Sequence, residues 1–169
     1  MFNNATAFNS LIPTNRSQGN PVLTDISGMF HNAIAFNQNV NVLNVSNVTS
    51  MRTTFNNARS FNNGGVSLNW GSETAKVTNW AYAFQNARVF NNEGVINLDM
   101  SGATLVNNMF ESAVVFNQNI SNWNMSKVTD MGFMFSNASS FNQDISKKQV
   151  TVNGETYIAW NTSKVTNMS

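Results

Sequence analysis

One phrase, Phe-x-x-Ala-x-x-Phe-Asn, occurs six times in the 169 residues and limits what this chain can fold into. The copies start at Phe2, Phe30, Phe55, Phe84, Phe110 and Phe135 and end at Phe8, Phe36, Phe61, Phe90, Phe116 and Phe141. Successive starts stand 28, 25, 29, 26 and 25 residues apart, and twelve of the thirteen phenylalanines lie in the phrase. A unit of about 25 residues cannot bury an apolar face alone, so recurrence at that period implies neighbours stacked around a shared core. Phe30, Phe36, Phe55, Phe61, Phe84, Phe90, Phe110, Phe116, Phe135 and Phe141 are the expected core columns.

Within a unit the spacing predicts a helix. Met131, Met134, Phe135, Ala138 and Phe141 fall at i, i+3, i+4, i+7 and i+10, one face of about three turns. Asp25, Ser50, Asn79, Asp130 and Asn167 precede the first helical position and are favoured N-caps. Leu105 stands there in the fourth unit, where Thr104 is the available cap. The asparagine closing each phrase suits a left-handed C-terminal position. Upstream, Val66–Trp70 and Ile96–Met100 alternate apolar with polar residues, as a half-buried strand does. Leu43–Val45 and Trp123–Met125 do so more briefly, and Val-Thr or a variant precedes each helix. The expected fold is an α/β solenoid of the leucine-rich-repeat type with about six coils. A parallel sheet would form one face and short helices the other.

Two units depart from the pattern. The first carries Pro13 and Pro21, which argue against a good strand there. The sixth carries an insertion over 147–159, where two β-prone runs flank Asn153-Gly154, a type I′ hairpin signal. A hairpin projecting from the stack is expected. Residues 1–169 otherwise read as one repeat domain.

Charge narrows the function. Only 10% of residues are charged and the net charge is +1, which excludes a basic nucleic-acid binder. No apolar run approaches the ~18 residues of a membrane helix, and the absence of cysteine removes thiolate metal sites and disulfides. Asparagine makes up 32 of the residues. Asn9, Asn37, Asn62, Asn91, Asn117 and Asn142 recur at one slot, where their amides are expected to satisfy turn backbone. Alternation turns Asn44, Ser67, Asn69, Asn97, Asp99, Asn122 and Asn124 outward, which makes them the candidate binding face. His31 is the one histidine, and the eight carboxylates are scattered along the units. No catalytic residue, metal ligand or cofactor site is expected from them.

The stretch Met109-Phe110-x-x-Ala113-x-x-Phe116-Asn117-Gln118-Asn119-Ile120-Ser121-x-Trp123-x-x-Ser126-x-Val128-Thr129-x-Met131 carries a resemblance. It resembles the repeat of mycoplasma-type surface lipoproteins, allied to BspA-like leucine-rich-repeat proteins. The resemblance implies an extracellular, cell-surface location and a non-enzymatic adhesive role. The resemblance implies no particular ligand; an unidentified host or neighbouring-cell protein or glycan is the expected partner. The alternative is a structural segment of a surface filament or sheath. Met1-Phe2 and Met168 occupy mid-unit slots, so a piece of a longer chain, or self-association through the ends, is expected.

Overall fold

Backbone hydrogen bonding decides what the repeated phrase becomes. The computed structural model describes residues 2–14 and 22–169; the expectation resting on Pro21 lies outside that range. Around Phe30 the N–H groups divide by parity. Ile26, Gly28, Phe30 and Asn32 donate to Ser50, Arg52, Thr54 and Asn56 of the next unit, at 2.8–3.1 Å. The residues between them, Met29, His31 and Ala33, donate three residues back, to Ile26, Gly28 and Phe30. The same alternation recurs from Met51, Trp80 and Val106.

The phrase is therefore a run of linked four-residue turns. Its third turn positions take positive φ, where Gly or Asn is favoured. Two residues after the first Phe these are Asn4, Asn32, Asn57, Asn86, Ser112 and Asn137, with φ of 56–60°. Two residues before it they are Gly28, Thr53, Tyr82, Asn108 and Phe133.

This overturns the expected helix. Among the described residues there is no α-helix, only 3-10 segments at Asn63–Gly65, Gly71–Thr74 and Glu93–Asn97. An i→i−4 ladder cannot form when every second N–H bonds a neighbouring unit. Nor does a parallel sheet form. Asp25, Ser50, Asn79, Leu105, Asp130 and Asn167 make a column of single parallel bridges, one residue per unit. All but Leu105 are the expected helix caps, and several act within short turns instead. Asp25, Asn79 and Asp130 accept through Oδ1 from the N–H two residues on, at Ser27, Ala81 and Gly132. Of the expected strands, Ile96 and Asn97 lie in the 3-10 segment, and Val66–Trp70 has no strand partner. The α/β solenoid with its parallel sheet and helical layer is thus replaced by stacked turns.

The core follows the Phe columns. Phe30, Phe36, Phe55, Phe61, Phe84, Phe90, Phe110 and Phe116 are 0–1% exposed, and Phe135 and Phe141 are half-buried against them. Within a unit the two rings lie 3.9–4.2 Å apart between centroids. First-Phe rings of neighbouring units are 5.4–5.9 Å apart and nearly parallel. Each such pair adds roughly 0.5–1.5 kcal/mol to the burial itself. Ala33, Ala58, Ala87 and Ala113 are fully buried, and Val48, Val77 and Val128 fill a further column. Beside the valines, Thr49, Thr78, Thr104, Thr129 and Thr166 donate both N–H and Oγ1–H to the threonine carbonyl of the preceding unit.

The closing asparagines are not left-handed; none has positive φ. Their side chains bond between units. Asn9 Oδ1 accepts from Asn37 N–H, Asn37 from Asn62, Asn62 from Asn91, Asn91 from Asn117, and Asn117 from Asn142, at 2.8–3.2 Å. Gln38, Gln118 and Gln143 reinforce the column by donating to the asparagine of the unit before.

One antiparallel pair is attached to this stack. Strand β1, Lys148–Val152, pairs with strand β2, Glu155–Ala159. Asn153 and Gly154 join them at φ of 53° and 85°, both positive as a type I′ turn requires.

Candidate functional site

The hairpin is an addition to the repeat. Gln143-Asp144-Ile145-Ser146-Lys147 matches Gln118-Asn119-Ile120-Ser121-Asn122 in register, and Trp160 matches Trp123. The strands between, Lys148 to Ala159, are the inserted residues. At its foot, Asp144 accepts from Ser146 N–H at 2.8 Å and pairs with Lys148 at 3.2 Å. The Ser146 backbone N–H, the Ser146 hydroxyl and then Lys148 hold the Asp144 carboxyl down at about 2.

Rather than projecting freely, the hairpin leans over neighbouring units. Val150 and Tyr157 are half-buried against the core, and Tyr157 Oη donates to the Asn122 carbonyl. Thr151 and Thr156 hydroxyls meet across the strands at 2.9 Å. A cleft of about 840 Å³ opens between the hairpin and the loops 71–72, 96–101 and 119–124. Tyr157, Glu155, Thr156 and Asn153 form the hairpin side, and Asn97, Asp99, Asn122 and Asn124 the opposite side.

Four candidate binding-face residues, Asn97, Asp99, Asn122 and Asn124, are thereby brought together. Asn44, Ser67 and Asn69 do not line this cleft. Ser67 and Asn69 are exposed and Asn44 half-buried. Part of the face serves the backbone: Asn44, Asp99 and Asn124 accept from the N–H two residues on, at Ser46, Ser101 and Ser126. Among the described residues, Asp99 and Glu155 are the only charged ones lining the cleft. Burial, and secondarily the charge of Asp99, pushes the Tyr157 phenol above its ordinary value of 10.0.

Sequence reasoning missed the hairpin side of the cleft. Two β-prone runs reveal a hairpin, but not the direction in which it folds back. It also missed Asn63 and Asn92, which are 0% and 4% exposed. Asn63 Oδ1 accepts from Val40 N–H, and Asn92 Oδ1 accepts from Leu68 and Gly94 N–H groups. The Phe-Asn-Asn sequence at Phe61 and Phe90 was the available signal.

A second cavity of about 590 Å³ is lined by Met131, Met134, Phe135, Ile145 and Trp160. These are core-column positions of the sixth unit. Among the described residues no three His, Cys, Asp or Glu side chains group as metal ligands, and no helix is long and apolar enough to cross a membrane.

A family model described as Mycoplasma protein of unknown function, DUF285, matches residues 1–93 and again 69–169. The two matches overlap across 69–93 and together span the chain, as expected of a model covering several repeats. No curated protein and no solved structure matches.

Proposed function

The chain belongs to the DUF285 family, and from that premise we propose that it is a non-catalytic binding module of a bacterial cell surface. Its role is adhesion to a protein or glycan of a host or neighbouring cell. The observation that carries this reading is the division of labour among polar side chains. Amides and hydroxyls at the turn and threonine columns are spent on bonding unit to unit. That makes a stiff scaffold without burying charge. The outward residues Ser67, Asn69, Asn97 and Asn122 are left as an uncharged polar surface. Such a surface suits reversible recognition of polar partners, as the extended faces of repeat proteins do.

Asp25 and Asp130 hold turns, and Glu111 accepts from Gln85 and Asn108 at 2.6 Å. Structural use of these carboxylates supports the non-catalytic part of the reading. The cell-surface location rests on the resemblance to the BspA-like surface repeat and is part of the proposal. The test is capture by the purified chain on arrays of surface glycoproteins and glycans. Saturable capture is expected. Assembly into filaments with no capture across the arrays overturns the reading in favour of a structural segment.

A further inference from the structure

We propose that the cleft between the hairpin and loops 96–101 and 119–124 binds an uncharged saccharide. Tyr157 supplies the stacking ring, and Asp99, Glu155, Asn97 and Asn122 supply the hydroxyl partners. The inference rests on the binding-module reading above and names the ligand class and the place.

Four observations converge. First, the cleft exists only because residues 148–159 are inserted into a register that otherwise runs unbroken from Lys147 to Trp160. The insertion adds nothing to the unit-to-unit ladders and forms one wall of a polar cavity. Second, the amides of Asn97 and Asn122, Oδ2 of Asp99 and the carboxylate of Glu155 make no hydrogen bond among the described residues. The turn-column amides, by contrast, are engaged. Third, Asp99 differs from the other residues that make its turn. Asn44, Asn124 and Asn161 hold the same register and each accepts the same backbone bond, while Glu73, also in that register, accepts from Val45 N–H instead. The turn needs only an amide, so the extra charge at Asp99 faces the cleft without a structural task.

Fourth, the chemistry is selective. Sugar hydroxyls both donate and accept, which the mixture of amides and carboxylates matches. Two carboxylates, with no lysine or arginine lining the cleft among the described residues, disfavour phosphate, sulfate and acidic sugars. Tyr157 is fixed through its Oη bond to Asn122, so little is lost in ordering it. The volume of about 840 Å³ lies in the range of small-molecule sites and holds a short oligosaccharide.

The experiment is a titration of the intact, isotope-labelled chain with a panel of neutral di- and trisaccharides, read by amide chemical shifts. Sialylated counterparts and lysine- or arginine-containing peptides run in parallel. At least one neutral saccharide is expected to shift Asn97, Asp99, Asn122 and Tyr157 together. Asp99→Asn keeps the turn and should weaken binding about tenfold, the worth of one hydrogen bond to a charged group. Tyr157→Ala should weaken it by about tenfold or more, and Arg88→Ala, at an exposed side chain that does not line the cleft, should leave it unchanged. Should Tyr157→Ala unfold, Asp99→Asn and the wild-type shift map carry the test. Absence of shifts with every neutral sugar, shifts mapping outside the cleft, or preference for a basic peptide overturns the inference. Array capture that survives Asp99→Asn and Tyr157→Ala sinks the cleft while leaving the binding-module reading intact.

Discussion

A single atom separates the tolerant from the intolerant glycines. A Cβ on Gly94 would lie 2.0 Å from the Leu68 carbonyl oxygen and 2.4 Å from its nitrogen. Neither is a flexible group, so two units would have to move apart. Gly94→Ala is expected to cost about 3 kcal/mol or more in a urea melt. Gly65 has φ +80° and open space around it, so Gly65→Ala should cost only about 1 kcal/mol, through backbone strain alone. Asn92 carries a comparable load through hydrogen bonds. Its Oδ1 accepts from Leu68 and Gly94, and its Nδ2 donates to Val66 at 2.8 Å, all at a site 4% exposed. Asn92→Ala strands buried backbone groups and should cost about 2–4 kcal/mol, with Asn92→Asp in between. An equal cost for Asn92→Ala and for the exposed Asn69→Ala would contradict this assignment.

At the scale of the element, apolar spacing was legible and its backbone was not. Residues at i, i+3, i+4 and i+7 share a face in a helix, and they also share one in linked four-residue turns stacked by their neighbours. The discriminating signal was the asparagine two residues after the first Phe, present at Asn4, Asn32, Asn57, Asn86 and Asn137. Asparagine there is poor in a helix and good at positive φ. The same logic singles out Phe133, which has φ 56° and is 53% exposed. Asn108 holds the equivalent position in the preceding unit. Phe133→Asn should therefore stabilise by about 1 kcal/mol, seen as a higher denaturant midpoint; a loss would mean that the ring packs usefully. The hairpin was legible because Asn153-Gly154 is a local signal, whereas its docking onto Asn122 depends on distant residues. At its foot, Asp144 should titrate at about 2, below the ordinary 3.8. A depressed carboxyl stabilises the fold above its unfolded value, and that contribution fades as pH falls from about 4 through about 2. Lys148→Met should raise the Asp144 midpoint only slightly in a carboxyl NMR titration, because the Ser146 N–H is the larger cause.

Across the whole molecule, each unit bonds the one before and the one after, and the hairpin stands outside that order. Removing residues 148–159 joins Lys147 to Trp160 and gives the sixth unit the spacing of the fifth, where Asn122 precedes Trp123. Lys148 and Ala159 are direct partners across the strands, so the ends to be joined are already adjacent. The deletion forfeits the partial burial of Val150 and Tyr157 and the fully buried Ala159. It spares every turn-asparagine and threonine bond. Stability is expected to fall by no more than about 2 kcal/mol, roughly the worth of one fully buried apolar side chain. The Trp160 indole, which donates to the Ile120 carbonyl at 2.9 Å, should keep its buried fluorescence. Phe90→Ala, by contrast, opens a cavity in the middle of the stack and should cost about 3–5 kcal/mol. If the shortened chain instead unfolds, or melts as early as Phe90→Ala, the hairpin is part of the scaffold. A shortened chain that melts near the parent assigns those twelve residues to the cleft.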